Sequence, residues 1–172
     1  MYSLTLVERD TCPRTCHHWN DCYGDNMPFA HRFALKGLTP VLEAEIAALV
    51  KKHREGIVIR LHVLGDFASV SYVKFWGRML KTHPTLALFG YTGRDPDSTI
   101  GGAIDDLNEN HPAACAIRFS QSKAFANNQR FAAEEGFSGE CFTCPEQLGK
   151  VASCADCGLC WITDKTVRFL TH

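Results

Sequence analysis

Three short runs of apolar and β-branched residues, IVIRLHVL at 57–64, LALFGY at 86–91 and CAIRFS at 115–120, constrain the fold more than any other feature. The first is almost continuously apolar, the pattern of a strand buried on both faces. Helical patterns lie between the runs. Thr39-Pro40 supplies an N-cap and a first-turn proline to a helix whose Leu42, Ile46, Leu49, Val50 and His53 recur at helical spacing until Gly56. Ser69 caps a second helix with Tyr72, Val73, Trp76, Met79 and Leu80 on its buried face, and His83-Pro84 closes it. Ser98 to Asn110 reads as a third helix, with Ile100, Ile104 and Leu107 inward. Tyr2 to Glu8 alternates like a short opening strand, Ser122 to Glu135 reads as a fourth helix stopped by Gly136, and Thr166 to Leu170 as a last strand.

Strands alternating with helices through short connections predict an α/β fold. The sheet is parallel, open or curved into a partial (β/α) barrel, with about four to five strands and right-handed crossovers. Residues 1–136 are expected to form this core with an N-terminal cysteine loop, and 137–172 a cysteine-rich metal-binding segment plus the final strand. Such sheets place ligands at the carboxyl ends of their strands. That rule selects the first cysteine loop, then Gly65 and Asp66, Thr92 and Arg94, and finally Ser120, Gln121 and Ser122.

Nine cysteines, at 12, 16, 22, 115, 141, 144, 154, 157 and 160, are the chemical signal, and eight of them cluster. The opening MYSLTLVERD carries Glu8 and Asp10 behind a short apolar stretch, which predicts neither a secretory signal nor a membrane span and points to the cytoplasm. Clustered thiols in a cytosolic chain read as metal ligands rather than disulfides. Cys12-x3-Cys16-x5-Cys22 offers three thiols, which suit a [4Fe-4S] cube with one iron left open. A zinc site would need a fourth ligand such as His17, His18, His31 or a distant cysteine. In the second cluster two partitions compete. Cys141, Cys144, Cys157 and Cys160 make a zinc-ribbon-like C-x2-C-x12-C-x2-C. Cys154, Cys157 and Cys160 instead make the C-x2-C-x2-C run of a cube, completed by Cys141 or Cys144, with the other closing the N-terminal site; a three-plus-five division fits the count equally.

Cys115 and His62 lie inside apolar strands and read as core residues, Trp161 as a shield for the metal and His172 as a frayed end. Asp66 has a second reading as a cap for the following turn. The net charge is −1, so no long-range positive field draws nucleic acid; a local patch of Arg94, Arg118, Lys123 and Arg130 is the alternative.

Taken together, TCPRTCHHWNDCYG, LHVLGDF, FGYTGR, IRFSQS and the closing CFTC…CADCGLCW resemble the phage-associated gene product 88 family over nearly the whole chain. For a phage-encoded chain the compartment would be the host cytoplasm. More distantly, the three-cysteine loop after strand one, Tyr23 beside Cys22 and the Gly65-Asp66 turn resemble radical S-adenosylmethionine (SAM) enzymes, although the loop here is C-x3-C-x5-C. That resemblance implies a cluster on Cys12, Cys16 and Cys22, with Gly65 and Asp66 near the methionine moiety of SAM and Ser120 and Ser122 near the ribose. It implies an auxiliary cluster on the C-terminal cysteines, reductive cleavage of SAM and an electron donor, with the substrate, small or macromolecular, unidentified. Two other readings compete: a zinc-stapled module binding nucleic acid or protein, and an electron carrier with two closed clusters.

Overall fold

A computed structural model describes residues 1–16, 18–120, 131–133, 137 and 139–170. Its strands are β1 (Tyr2–Ser3), β2 (Ile57–Leu61), β3 (Leu86–Thr92), β4 (Cys115–Ser120), β5 (Phe131–Ala133), β6 (Cys141–Thr143) and β7 (Thr166–Arg168). The helices are α1 (Glu8–Thr11), α2 (Leu38–Lys52), α3 (Val70–Thr82), α4 (Thr99–Asn110), α5 (Cys154–Cys157) and α6 (Leu159–Ile162). All the strands join one sheet in the order β1-β2-β3-β4-β5-β7-β6, and every pairing is parallel.

Consecutive order means that each crossover from β1 to β4 steps the same way. Right-handed crossovers then carry α2, α3 and α4 to one face, where α3 packs against both neighbours. Beneath them lies the main core, with Ile59, Leu88 and Ile117 from the sheet against Trp76, Met79 and Ile104 from the helices. The Ser69 and Ser98 hydroxyls accept from the Tyr72 and Gly101 amides, the expected caps of α3 and α4. Strand alternation turns Arg60, Phe89, Tyr91 and Arg118 to the opposite face; Arg60 pairs in register with Phe89, and Tyr91 with Arg118. That face is covered by the cysteine-rich C-terminal segment, where Trp161 packs on Phe89 with ring centroids 4.8 Å apart.

Several expectations change. The opening strand is only Tyr2–Ser3 with an isolated bridge from Leu6 to Phe33, because Glu8 already begins α1. Gly37, in the left-handed region, precedes α2 in place of the Thr39 cap. The second strand stops at Leu61, since His62 has φ +56° and cannot continue a pleat. Of the helix expected over 122–135, residues 131–133 are a strand, paired to β4 on one side and β7 on the other; Gly136 and the rest of that segment lie outside the described residues. Residues 141–143 add a further strand, so the C-terminal segment extends the sheet of the core beyond the four or five strands expected. Among the described residues, no helix is long and apolar enough to cross a membrane.

Candidate metal centres

The first cysteine loop is fastened to the carboxyl ends of β2 and β3. Thr11 is the joint: its hydroxyl donates to Val7 O (2.8 Å) and accepts from the Asp66 amide (3.1 Å), while Arg94 donates to its carbonyl. The buried Asp66 carboxylate accepts from the Phe67 amide (2.7 Å), Thr92 Oγ1 (2.7 Å) and the Gly93 amide (2.8 Å), so it ties both strand ends together. Farther along the loop, Arg32 pairs with Glu8 at 2.9 Å and donates to the carbonyls of Gly24, Met27 and Ala30.

These ties bring Cys12, Cys16 and Cys22 together beside Asp66. Burial pushes the Cys12 thiol up to about 12, with Asp66, Cys16 and Cys22 adding to the shift and the Arg94 charge opposing it. Cys16 is raised for the same leading reason, burial, and it too feels Asp66 and Cys22. Burial likewise lifts Asp66 to about 6, against its hydrogen bonds and Arg94. Thiols that resist ionisation this strongly need a cation to become thiolates, as metal ligands must.

The second set is built from short helical turns. Cys154 and Cys157 bound α5, so their spacing of three puts both on one side of a turn. Gly158, at φ +68°, then redirects the chain into α6, which carries Cys160. Cys144 enters just beyond β6. Cys144, Cys154 and Cys160 line a cavity of about 140 Å³ with Arg60, Tyr91 and Gln147. Tyr91 donates its hydroxyl to Cys160 Sγ at 2.9 Å. Burial raises Cys154, with the Arg60 charge opposing and Cys144 and Cys157 adding. Cys160 is raised by burial and held back by the Tyr91 hydrogen bond and the Arg118 charge.

Three thiols, Cys144, Cys154 and Cys160, thus line one cavity, with Cys157 one helical turn from Cys154, and Cys141 is not among the residues that line it. It stands in register with Thr166 on β6, and alternation turns it away from Phe142, which packs with Cys144 and Cys160. β6 is also the sheet edge opposite β1 and its cysteine loop. Among the described residues, no three His, Cys, Asp or Glu side chains converge as ligands of a single ion. A polynuclear cluster does not require that convergence, because its thiolates bind separate metal atoms.

Other expected site residues have definite places. Gly65 has φ +85°, and a Cβ there would stand 2.6 Å from Leu6 Cβ and 2.7 Å from Thr11 Oγ1, so the turn packs directly under the first loop. Ser120 is half-buried at the end of β4, opposite Ala132. His62 is a core residue, its Nε2 3.2 Å from the Tyr72 hydroxyl, and Cys115 is buried. His18 pairs with Asp21, and His31 packs on Phe33. Arg118 is fully buried and donates to the carbonyls of Cys160, Thr163 and Lys165, which removes it from any exposed nucleic-acid patch. His17, Gln121, Ser122, Lys123, Arg130 and His172 lie outside the described residues. Sequence reasoning missed Thr11, Arg32, Arg60 and Tyr91. The signal for Arg60 was available: a lone cation inside a run otherwise fit for burial.

Fold and site together define a class: a singly wound parallel α/β protein with two cysteine sites. The chain belongs to the gene product 88 family, whose model matches residues 2–163. No curated protein and no solved structure matches it.

Proposed function

We propose that this is an iron–sulfur protein of radical-SAM-like architecture, with one cluster on Cys12, Cys16 and Cys22 and a second on Cys144, Cys154, Cys157 and Cys160. The observation that carries the reading is the three-thiol loop after β1, fastened by Thr11, Asp66 and Arg94 to the carboxyl ends of β2 and β3. The donor sets suit the groups: three thiolates leave one iron of a cube without a protein ligand, and four close it. Beside the second set, Arg60 Nε is buried without a hydrogen-bond partner among the described residues, a cation suited to an anionic cluster.

When bound, the first cluster and SAM would supply reductive cleavage of SAM, the electron coming from an external low-potential donor. The chain positions and shields. Asp66 acts through the Thr92 hydroxyl and Gly93 amide that it fixes, and Gly65 lets the turn lie directly against the loop. Gly65-Asp66 would stand near the methionine moiety, with Ser120 toward the ribose. Arg94 neutralises part of the charge that thiolates and Asp66 accumulate.

The test is anaerobic purification with iron, sulfide and zinc analysis, then electron paramagnetic resonance of the reduced protein with and without SAM, and an assay for 5′-deoxyadenosine. We expect brown protein, a signal altered by SAM, and formation of the nucleoside. Stoichiometric zinc without acid-labile sulfide would overturn the iron–sulfur reading, and a spectrum indifferent to SAM would leave a closed-cluster carrier.

A further inference from the structure

Arg60 is the one cation among the residues that line the C-terminal cysteine cavity. It leaves β2 on the face away from the helices, its guanidinium carbon 6.0 Å from the centre of the Tyr91 ring. It lines the cavity with Cys144, Cys154 and Cys160. Its Nε is sealed from solvent with no hydrogen-bond acceptor among the described residues. Glu146, which lines the same cavity, is exposed. A buried guanidinium nitrogen without an acceptor is costly unless an anion compensates it. Cluster-bearing thiolates are the anions this site would hold.

We propose, resting on the iron–sulfur reading above, that Arg60 is an electrostatic positioning residue: it sets the reduction potential of the group held by Cys144, Cys154, Cys157 and Cys160. Reduction adds one electron to an already anionic group, and an external low-potential donor supplies it. A fixed cation in contact favours the reduced form, so removing the cation makes reduction harder.

The experiment is an anaerobic redox titration of the full chain, followed by electron paramagnetic resonance, for the parent, Arg60→Gln and Arg60→Lys. The C-terminal signal is identified as the one lost in Cys157→Ser. With iron and sulfide unchanged, Arg60→Gln should lower the reduced-to-oxidised ratio of that signal about tenfold at fixed potential, a shift of about 59 mV for one electron. Arg60→Lys should recover most of that shift. Loss of C-terminal iron in Arg60→Gln but not in Arg60→Lys would also support the inference, because charge alone separates the two variants. Unchanged midpoints in fully loaded Arg60→Gln would overturn it while leaving the iron–sulfur reading intact. Equal loss of iron from both variants would overturn it too, showing that packing by the stem is what matters. A parent protein without iron or sulfide would overturn both.

Discussion

His62 has φ +56°, the one positive value at a non-glycine residue among those described, and it ends β2 two residues after Arg60. Its ring packs perpendicular to Phe67 at 4.5 Å, and its Nδ1 is buried without a partner among the described residues. Burial holds the imidazole neutral, its pKa lowered to about 3. The unfolded chain protonates this histidine near 6.5 and the folded one does not, so between about 3 and 6.5 the unfolded state binds more protons. Stability contributed here is therefore complete above pH 6.5 and falls as the pH drops, by about 1.4 kcal/mol per unit. His62→Asn keeps a residue tolerant of the left-handed region and removes the titration. Denaturant unfolding at pH 7 and pH 5 should show the parent losing about 2 kcal/mol more than the variant. Parallel losses would mean that His62 is protonated within the fold.

At the scale of elements, Arg118 moors the C-terminal segment to the sheet. It projects from the centre of β4 and binds the carbonyls of Cys160 within α6 and of Thr163 and Lys165 beyond it, where the last carbonyls of a helix lack partners. Arg118→Met keeps most of the stem and abandons those acceptors, and should cost about 2–4 kcal/mol. Limited proteolysis should then cut within 137–163 while the helix-covered side of the sheet persists; a digest identical to the parent's would show another anchor. The long elements were readable because each repeats a signal: α3 and α4 by helical periodicity behind Ser69 and Ser98, β3 and β4 by apolar runs. β5 and β6 have three residues each, too few to show alternation, and Phe131–Ala133 becomes a strand because β4 and β7 pair with it on both sides. Arg60 and Arg118 marked the second sheet face, but their meaning depended on a cover that periodicity does not reveal. The choice between Cys141 and Cys144 was hidden for a geometric reason. A spacing of three puts Cys154 and Cys157 on one side of a helical turn, whereas the same spacing running along β6 puts Cys141 and Cys144 on opposite faces.

Across the whole molecule, the sheet separates two jobs. One face buries its aliphatic side chains under α2, α3 and α4 and provides rigidity; the other, with Arg60, Tyr91 and Arg118, receives the C-terminal thiols, while the first loop closes over the carboxyl ends. This division assigns the cysteines without reference to their spacing. Cys144 shares its surroundings with Cys160 and Val167, and Cys141 does not. On the iron–sulfur reading, Cys144→Ser should lose about half of the iron and sulfide of the parent, Cys22→Ser about the other half, and Cys141→Ser none, measured by chemical analysis after anaerobic purification. Serine keeps the size of the side chain and removes the soft ligand, so the comparison isolates coordination from packing. The double variant Cys22→Ser, Cys144→Ser should be colourless and yet retain the circular dichroism of the helices, because the core beneath α3 contains no thiol of either site. Iron loss in Cys141→Ser equal to that in Cys144→Ser would place Cys141 on the same face as the quartet and would contradict the register of β6 with β7.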